Sequence, residues 1–386
     1  MKKLFTVLLP LLLCLVLILS LFPAAALAEE ESILDEERLD AWIKDFLTKN
    51  GIGGGNQIFS VGFCYTATGD CWYYNGDAFM YSASMYKVPV SMLLAEKEKA
   101  GLISQDTNLG GGTLKYLETT ALIHSDNNSG HAMLDYLGED NSGKGSKLCM
   151  QYASLDKSYF DQDFFDYSYY SARFITQVME TLYAGGEERF PHVIEYMLQA
   201  QPDSYLNLSL SGKFDVAQKY GAFKERNGND NNHITAIVYT PTPIIVTVMT
   251  RNVGDYQKLM AQIGSYLAEY SLELDEKLAA RTAAREEAAR AAEEAAQAEA
   301  ASQSEQTQAG SAFSFTPGAQ IEGGRERLMP MLYLLWAAIL AFGALVALHA
   351  LKQRREKAPV AAAAPSAGAR TASRSARHSA PSRGKH

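Results

Sequence analysis

Ser84-Met85-Tyr86-Lys87 opens the apolar run VPVSMLLAEKEK. Residues three apart share one face once a chain turns helical, so the spacing stacks a hydroxyl on an amine. Partly out of water, such an amine loses proton affinity and can take the hydroxyl proton, leaving a nucleophile. Serine at a helix start is also an ordinary cap. Capping does not explain Lys87, because a cation is favoured in the last turn of a helix rather than the first. The same dipole favours an anionic intermediate at Ser84. Ser154-Leu155-Asp156-Lys157 repeats the pattern within ASLDKSYFDQDFFDYSYY, an irregular aromatic stretch with no apolar helix after the lysine, and is set aside.

Two further signals follow in order. LIHSDNNSGHAML holds Ser125-Asp126-Asn127, and DVAQKYGAF places Lys219-Tyr220-Gly221 on a predicted strand. Each is weak alone, since turns rich in Ser, Asp and Asn are common. As an ordered set they resemble the penicillin-recognising serine hydrolases, and most closely the class A β-lactamase-like family, with its serine-x-x-lysine, Ser-Asp-Asn and Lys-Thr-Gly motifs. The resemblance spans roughly residues 35–270. It implies that Ser84 attacks an amide carbonyl to form an acyl-enzyme, with Lys87 as acylation base. It implies that Ser125 relays the proton to the leaving nitrogen and that Asn127 holds the substrate's side-chain amide. Lys219, with Gly221 beside it, would attract the substrate carboxylate, and the backbone N–H groups of Ser84 and Ala222 would form the oxyanion hole. Asp126 is read as bracing its turn. The resemblance implies no metal and no organic cofactor.

The chain departs from the family pattern twice. Tyr220 stands where a threonine hydroxyl usually helps hold the carboxylate, which puts the substrate class in doubt. Class A β-lactamases also hydrolyse the acyl-enzyme with a water activated by a loop glutamate, and here SYFDQDFFDYSYYSARFITQVMETLYAGG has no glutamate before Glu180. Asp161, Asp163 and Asp166 are the candidates for that task, with Asp161 best placed by order along the chain. The plainer reading is that these aspartates solvate an aromatic loop. Asp is one methylene short, and a misplaced general base costs about 10²-fold in rate. Deacylation is therefore in doubt, while acylation is not.

The elements that must position these residues read as a mixed layout. LDEERLDAWIKDFLTKNG sets Leu39, Trp42, Ile43 and Phe46 at helical spacing, and NQIFSVGFCYTATGDCWYYNGD is strand, turn, strand. A helix-rich middle runs from Ser84 to about Ala200. HITAIVYTPTPIIVTVMT is a second hairpin, and VGDYQKLMAQIGSYLAEYSL closes the unit as a helix. The fold class expected is α+β of the β-lactamase/transpeptidase type. The first and last helices would cover one face of an antiparallel sheet, with an inserted helical lobe and a ligand cleft between.

The ends of the 386-residue chain suggest its setting. Residues 1–28 have a basic start, an apolar run and Ala26-x-Ala28, the pattern of a signal peptide, with an uncleaved anchor as the alternative. Residues 29–272 form the hydrolase-like domain, 273–302 an Ala/Glu-rich helical spacer and 303–327 a flexible linker. Residues 328–351 hold no Asp, Glu, Lys or Arg and suffice to span a bilayer as one helix. The disordered tail 352–386 is basic, which places it in the cytoplasm and the domain outside. Removing +8 for the tail and +2 for the leader from the net charge of −9 leaves −19 on residues 29–327. Such a surface repels nucleic acid. A small-molecule β-lactam or cell-wall peptide is the expected partner of a monomeric catalytic domain. Cys64 and Cys71 flank a turn and are read equally as a disulfide or as free thiols. A second reading keeps the fold as a penicillin-binding or sensing module that has lost efficient deacylation.

Overall fold

The computed structural model of the chain describes residues 31–139 and 143–310. The expected leader, membrane span and tail lie outside them. Among the described residues, no helix is long and apolar enough to cross a membrane.

Asp35 starts helix α1 (Glu36–Lys49), its side chain accepting from the Arg38 N–H. Leu39, Ile43 and Leu47 are the buried stripe. Trp42 and Phe46, expected in that stripe, sit at its margin, where Trp42 stacks on Tyr266. Strands β1 (Ile58–Tyr65) and β2 (Asp70–Tyr74) form the first hairpin, with Cys64 directly opposite Cys71. That register joins the two in a disulfide, while Cys149 is free and buried.

β3 (Met80–Tyr81) leads through a tight turn into α2 (Lys87–Lys99). Every residue of α2 from Lys87 to Ala95 is buried. A helix enclosed on all sides lies at the centre of its fold. Around it gather α3 (Leu114–Ile123), α4 (Asn127–Leu137), the short α5 (Ser146–Cys149) and α6 (Gln162–Tyr167). β4 (Tyr169–Tyr170) then pairs with β3 as a two-stranded ribbon. Helices α7 (Ala172–Arg189), α8 (Val193–Gln199) and α9 (Asn207–Leu210) follow. β5 (Val216–Lys224), β6 (Asp230–Val238) and β7 (Ile244–Arg251) complete an antiparallel sheet in the order β2-β1-β7-β6-β5, which leaves β5 on an edge.

Side chains alternate across this sheet, as the period-two pattern requires. Phe59, Val61, Phe63, Ile234, Ala236, Val246 and Val248 pack with Leu39, Ile43, Leu259, Ile263 and Leu267 of the first and last helices. The opposite residues, Cys64, Ile237, Ile245 and Met249, join a second core with α2 and α7. The insert is therefore not a lobe apart from the sheet: α7 lies against the second face, so both faces are covered.

The closing helix α10 runs from Tyr256 to Gly310. Two expected boundaries shift with it. Leu274 is still buried and Asp275 accepts from the Tyr65 hydroxyl, so packing against the domain continues past residue 272. Residues 303–310, expected as linker, are helical. From Ala279 to Ala301 the chain is mostly Ala, Glu and Arg, which continue a helix without needing a face to bury, and the helix they carry runs on into 303–310. The chain divides into two units between Gln297 and Ala298, and of the second only helical residues 298–310 are described.

Candidate active site

Ser84 sits in the turn between β3 and α2. Ser82 anchors the entry, its N–H donating to the Ser168 carbonyl at 2.9 Å. Ala83 then takes a left-handed backbone at φ +48°. Met85, Lys87 and Val88 donate in succession to the carbonyls three residues back. The helix proper begins at Lys87, so Ser84 precedes it by one tight turn and caps nothing. The three-residue spacing still stacks the pair, because these tight bonds bring the same residues together.

The Lys87 side chain is buried and its Nζ has three neighbours: Ser84 Oγ at 3.2 Å, the Ser125 carbonyl at 2.6 Å and Asn127 Oδ1 at 3.0 Å. Burial pulls its pKa down to about 8, against a smaller upward pull from Asp126. An amine so placed is a competent proton acceptor just above neutrality.

Ser125 has a left-handed backbone (φ +59°) just ahead of α4. Asp126 caps α4, Oδ1 accepting from the N–H and the hydroxyl of Ser129 at 2.7 Å each. Those bonds hold its carboxyl below the usual range, as befits a brace. Asn127, the first residue of α4, presents its amide oxygen to Lys87. One turn on, Gly130 admits the site lysine, since a Cβ there would lie 2.8 Å from Lys87 Cε and collide with the Tyr86 hydroxyl. Gly130→Ala is expected to displace Lys87 and slow acylation of Ser84 about tenfold or more, measured as the rate of covalent labelling by a fluorescent penicillin. Labelling at the parent rate would show that α2 and α4 can part without cost to the site.

Across the cleft, edge strand β5 carries the third motif. Lys219 is fully buried, and its Nζ donates to Ser125 Oγ at 2.9 Å and to the Tyr220 carbonyl at 2.8 Å. Burial first, then the charge on Lys87, drives its pKa far below the ordinary lysine value. Gly221 brings the β5 backbone against Ser84, because a Cβ there would lie 2.8 Å from the Ser84 nitrogen. Ala222 lines the cleft. Tyr220 turns its ring onto Tyr205 (centroids 5.4 Å apart), and Lys219 Nζ lies 4.4 Å from the ring centre. The tyrosine thus forms wall, not a copy of a threonine hydroxyl.

The cleft holds about 420 Å³ and takes in Ser84, Ser125, Asn127, Tyr220 and Ala222. Among the described residues lining it there is no carboxylate. Asp161, read as the candidate deacylation base, is not there. It is exposed and caps α6, its Oδ1 accepting from the Phe164 N–H at 2.9 Å. Asp163 and Asp166 are exposed too. The reason is local packing: Phe160 and Phe164 turn inward onto Phe174, which sends the aspartates outward. His233 is buried, its Nδ1 accepting from the Thr250 N–H and its Nε2–H donating to the Tyr81 carbonyl, and burial lowers its pKa to about 4. It is a neutral structural residue. Among the described residues, the group spaced for a metal is Cys64, Cys71 and Glu180, and both its thiols are in the disulfide.

Sequence reasoning missed Lys144 and Tyr81, which line the cleft. His131 lines it too, and the sequence offered it, with His124 and His233, only as the base of a Ser/His/Asp hydrolase, a reading set aside because no Gly-x-Ser-x-Gly elbow surrounds Ser84. His131 lies four residues past Asn127, on the same face of α4. Lys144 stands alone between two glycines in a loop and gave no signal.

A serine and a buried lysine where a cluster of helices meets the edge of a five-stranded antiparallel sheet define the class of β-lactamase-like folds. The sequence pattern of the beta-lactamase enzyme family matches residues 38–271, more than half of the chain, and the chain belongs to that family. No curated protein matches it. Among solved structures, a β-lactamase from Xanthomonas campestris pv. campestris is 11% identical with a TM-score of 0.50, covering 62% of this chain and 99% of its own. An ancestral (GNCA) class A β-lactamase is 18% identical (TM-score 0.49, 60% of this chain, 99% of its own). A β-lactamase from Chitinophaga pinensis is 14% identical (TM-score 0.49, 61% and 99%). At these identities the likeness is one of fold.

Proposed function

We propose that the chain is an extracytoplasmic, membrane-anchored serine hydrolase that forms an acyl-enzyme at Ser84 with β-lactams or D-alanyl peptides. The carrying observation is the buried Lys87 amine 3.2 Å from Ser84 Oγ. Neutral Lys87 accepts the hydroxyl proton as Oγ attacks the amide carbonyl. Negative charge develops on the carbonyl oxygen between the N–H groups of Ser84 and Ala222. The proton passes through the Ser125 hydroxyl, held by Lys219 at 2.9 Å, to the leaving nitrogen. Asn127 and Tyr220 line the path of the substrate's side chain and acid end. The tether rests on the apolar run 328–351 and the basic tail after it.

The test is covalent. The purified full-length chain is incubated with a fluorescent penicillin, digested and mapped by mass spectrometry. One penicilloyl group on the peptide carrying Ser84 is the expected result. A chain that stays unlabelled, and is inert toward a D-alanyl thioester as well, is not this enzyme. A second reading, a penicillin-binding or sensing module, draws support from the cleft lining without a carboxylate. It requires a label that persists after free penicillin is removed.

A further inference from the structure

Lys144 lies on the Gly143-Lys144-Gly145 turn ahead of α5, in a left-handed backbone conformation (φ +46°). Only 5% exposed, it nonetheless lines the cleft with Ser84. Its Nζ meets the Tyr81 hydroxyl at 2.7 Å and the Ala83 carbonyl at 3.0 Å, between the rings of Tyr81 (4.1 Å) and Tyr86 (4.6 Å). The Ala83 carbonyl belongs to the peptide bond whose N–H is that of Ser84, so the amine is held beside the nucleophile. A neutral amine has two N–H groups and one lone pair. Donation to Tyr81 and Ala83 uses both N–H groups, so neither contact consumes the lone pair of this cleft-lining amine.

We propose that Lys144 is the general base that hydrolyses the Ser84 acyl-enzyme, the task a loop glutamate performs in class A β-lactamases. The inference rests on the acyl-enzyme reading above. A water in the cleft adds its oxygen to the acyl carbonyl carbon while one of its protons passes to Lys144 Nζ. The tetrahedral intermediate collapses, the carbon–Oγ bond breaks, and the proton on Lys144 goes to Ser84 Oγ. The carboxylic acid leaves, and serine and lysine are restored. Burial, and then the nearby charge of Lys87, lower the Lys144 pKa to about 7, so the lone pair is free near neutrality. The titratable groups facing it are Tyr81 from β3, Tyr86 and Lys87 from the start of α2, and His131 from α4. Asp126 acts on Lys87 and on His131, and Asp135 on His131.

The experiment uses the full-length chain labelled with a fluorescent penicillin, freed of excess reagent and followed for loss of label. Lys144→Met and Lys144→Arg are compared with the parent. Acylation rates within about threefold, with loss of label slowed about 100-fold in both variants, are expected for removal of a general base. In the parent, the rate of loss rises with pH through about 7, because only the neutral amine accepts a proton. A merely structural Lys144 would leave that pH profile in place and slow both steps together. Lys144→Arg keeps donors for Tyr81 and Ala83, so it decides the matter if the methionine variant does not fold. Unchanged loss in Lys144→Arg, a parent acyl-enzyme that never decays, or slow loss in His131→Gln instead overturns the inference alone. A parent chain that does not label overturns the acyl-enzyme reading and this inference together.

Discussion

Replacing Lys87 with methionine is expected to slow acylation of Ser84 by up to about 10⁴-fold, the upper range for loss of a positioned general base. Methionine keeps most of the buried volume, so the loss falls on the proton transfer rather than on packing. The pH dependence carries the same assignment. Burial lowers the Lys87 pKa to about 8, and only the neutral amine accepts a proton. The rate of labelling in the parent should therefore climb with pH and level off above about 8, and the methionine variant should lose that inflection. Stability moves in the same direction. The unfolded chain keeps the lysine proton up to the ordinary value while the folded chain releases it near 8, so the cost of burying Lys87 is full below that pH. It is relieved as pH rises from about 8 toward the ordinary lysine range. Stopped-flow labelling from pH 6 to 10 checks the kinetic claim. An unchanged rate in Lys87→Met would remove the lysine from the chemistry.

Gly221→Val is expected to lower acylation about 10³-fold while leaving the chain folded. A Cβ at residue 221 would stand 2.8 Å from the Ser84 nitrogen and 3.0 Å from Ala83 Cβ. Neither neighbour can give way cheaply: one is backbone, and the other belongs to a residue already in a left-handed conformation. Strand β5 must withdraw, carrying Ala222 and its N–H away from Ser84. Loss of one oxyanion donor costs about 10²–10³-fold, and a misplacement of about 1 Å adds to it. β5 is an edge strand paired to β6 alone, so its outer side can shift without breaking the sheet. Labelling kinetics together with an unchanged circular dichroism spectrum would confirm a local effect. Wild-type kinetics would mean that the β5 backbone takes no part in the reaction.

Much of the fold was legible because its signals are local. Runs of strand-forming residues bounded by turns mark β1, β6 and β7, which are buried on both faces, and the apolar spacing of Leu259, Met260, Ile263 and Leu267 marks the last helix. The ordered motifs at Ser84, Ser125 and Lys219 were legible for the same reason: each is a short string with its own turn or strand chemistry. What sequence could not hold is whatever depends on distant segments meeting. Lys87 reaches Ser125 and Asn127 about forty positions away. Lys219 reaches Ser125 across 94. The disulfide follows from a register that opposes Cys64 to Cys71, and α7 covers a sheet face that periodicity alone left open. Asp161 shows the reverse case. Chain order made it the best candidate base, but an N-cap bond to Phe164 and an inward aromatic cluster turn it to solvent. Lys144 had no motif around it at all, and only the approach of its loop to β3 and the start of α2 sets its amine against the Ala83 carbonyl. The sequence by itself thus determined which residue types could do acyl-transfer chemistry and which elements carry them. Tertiary structure alone decided which carboxylates and amines face the serine, because burial and pKa belong to the packed neighbourhood and not to the string.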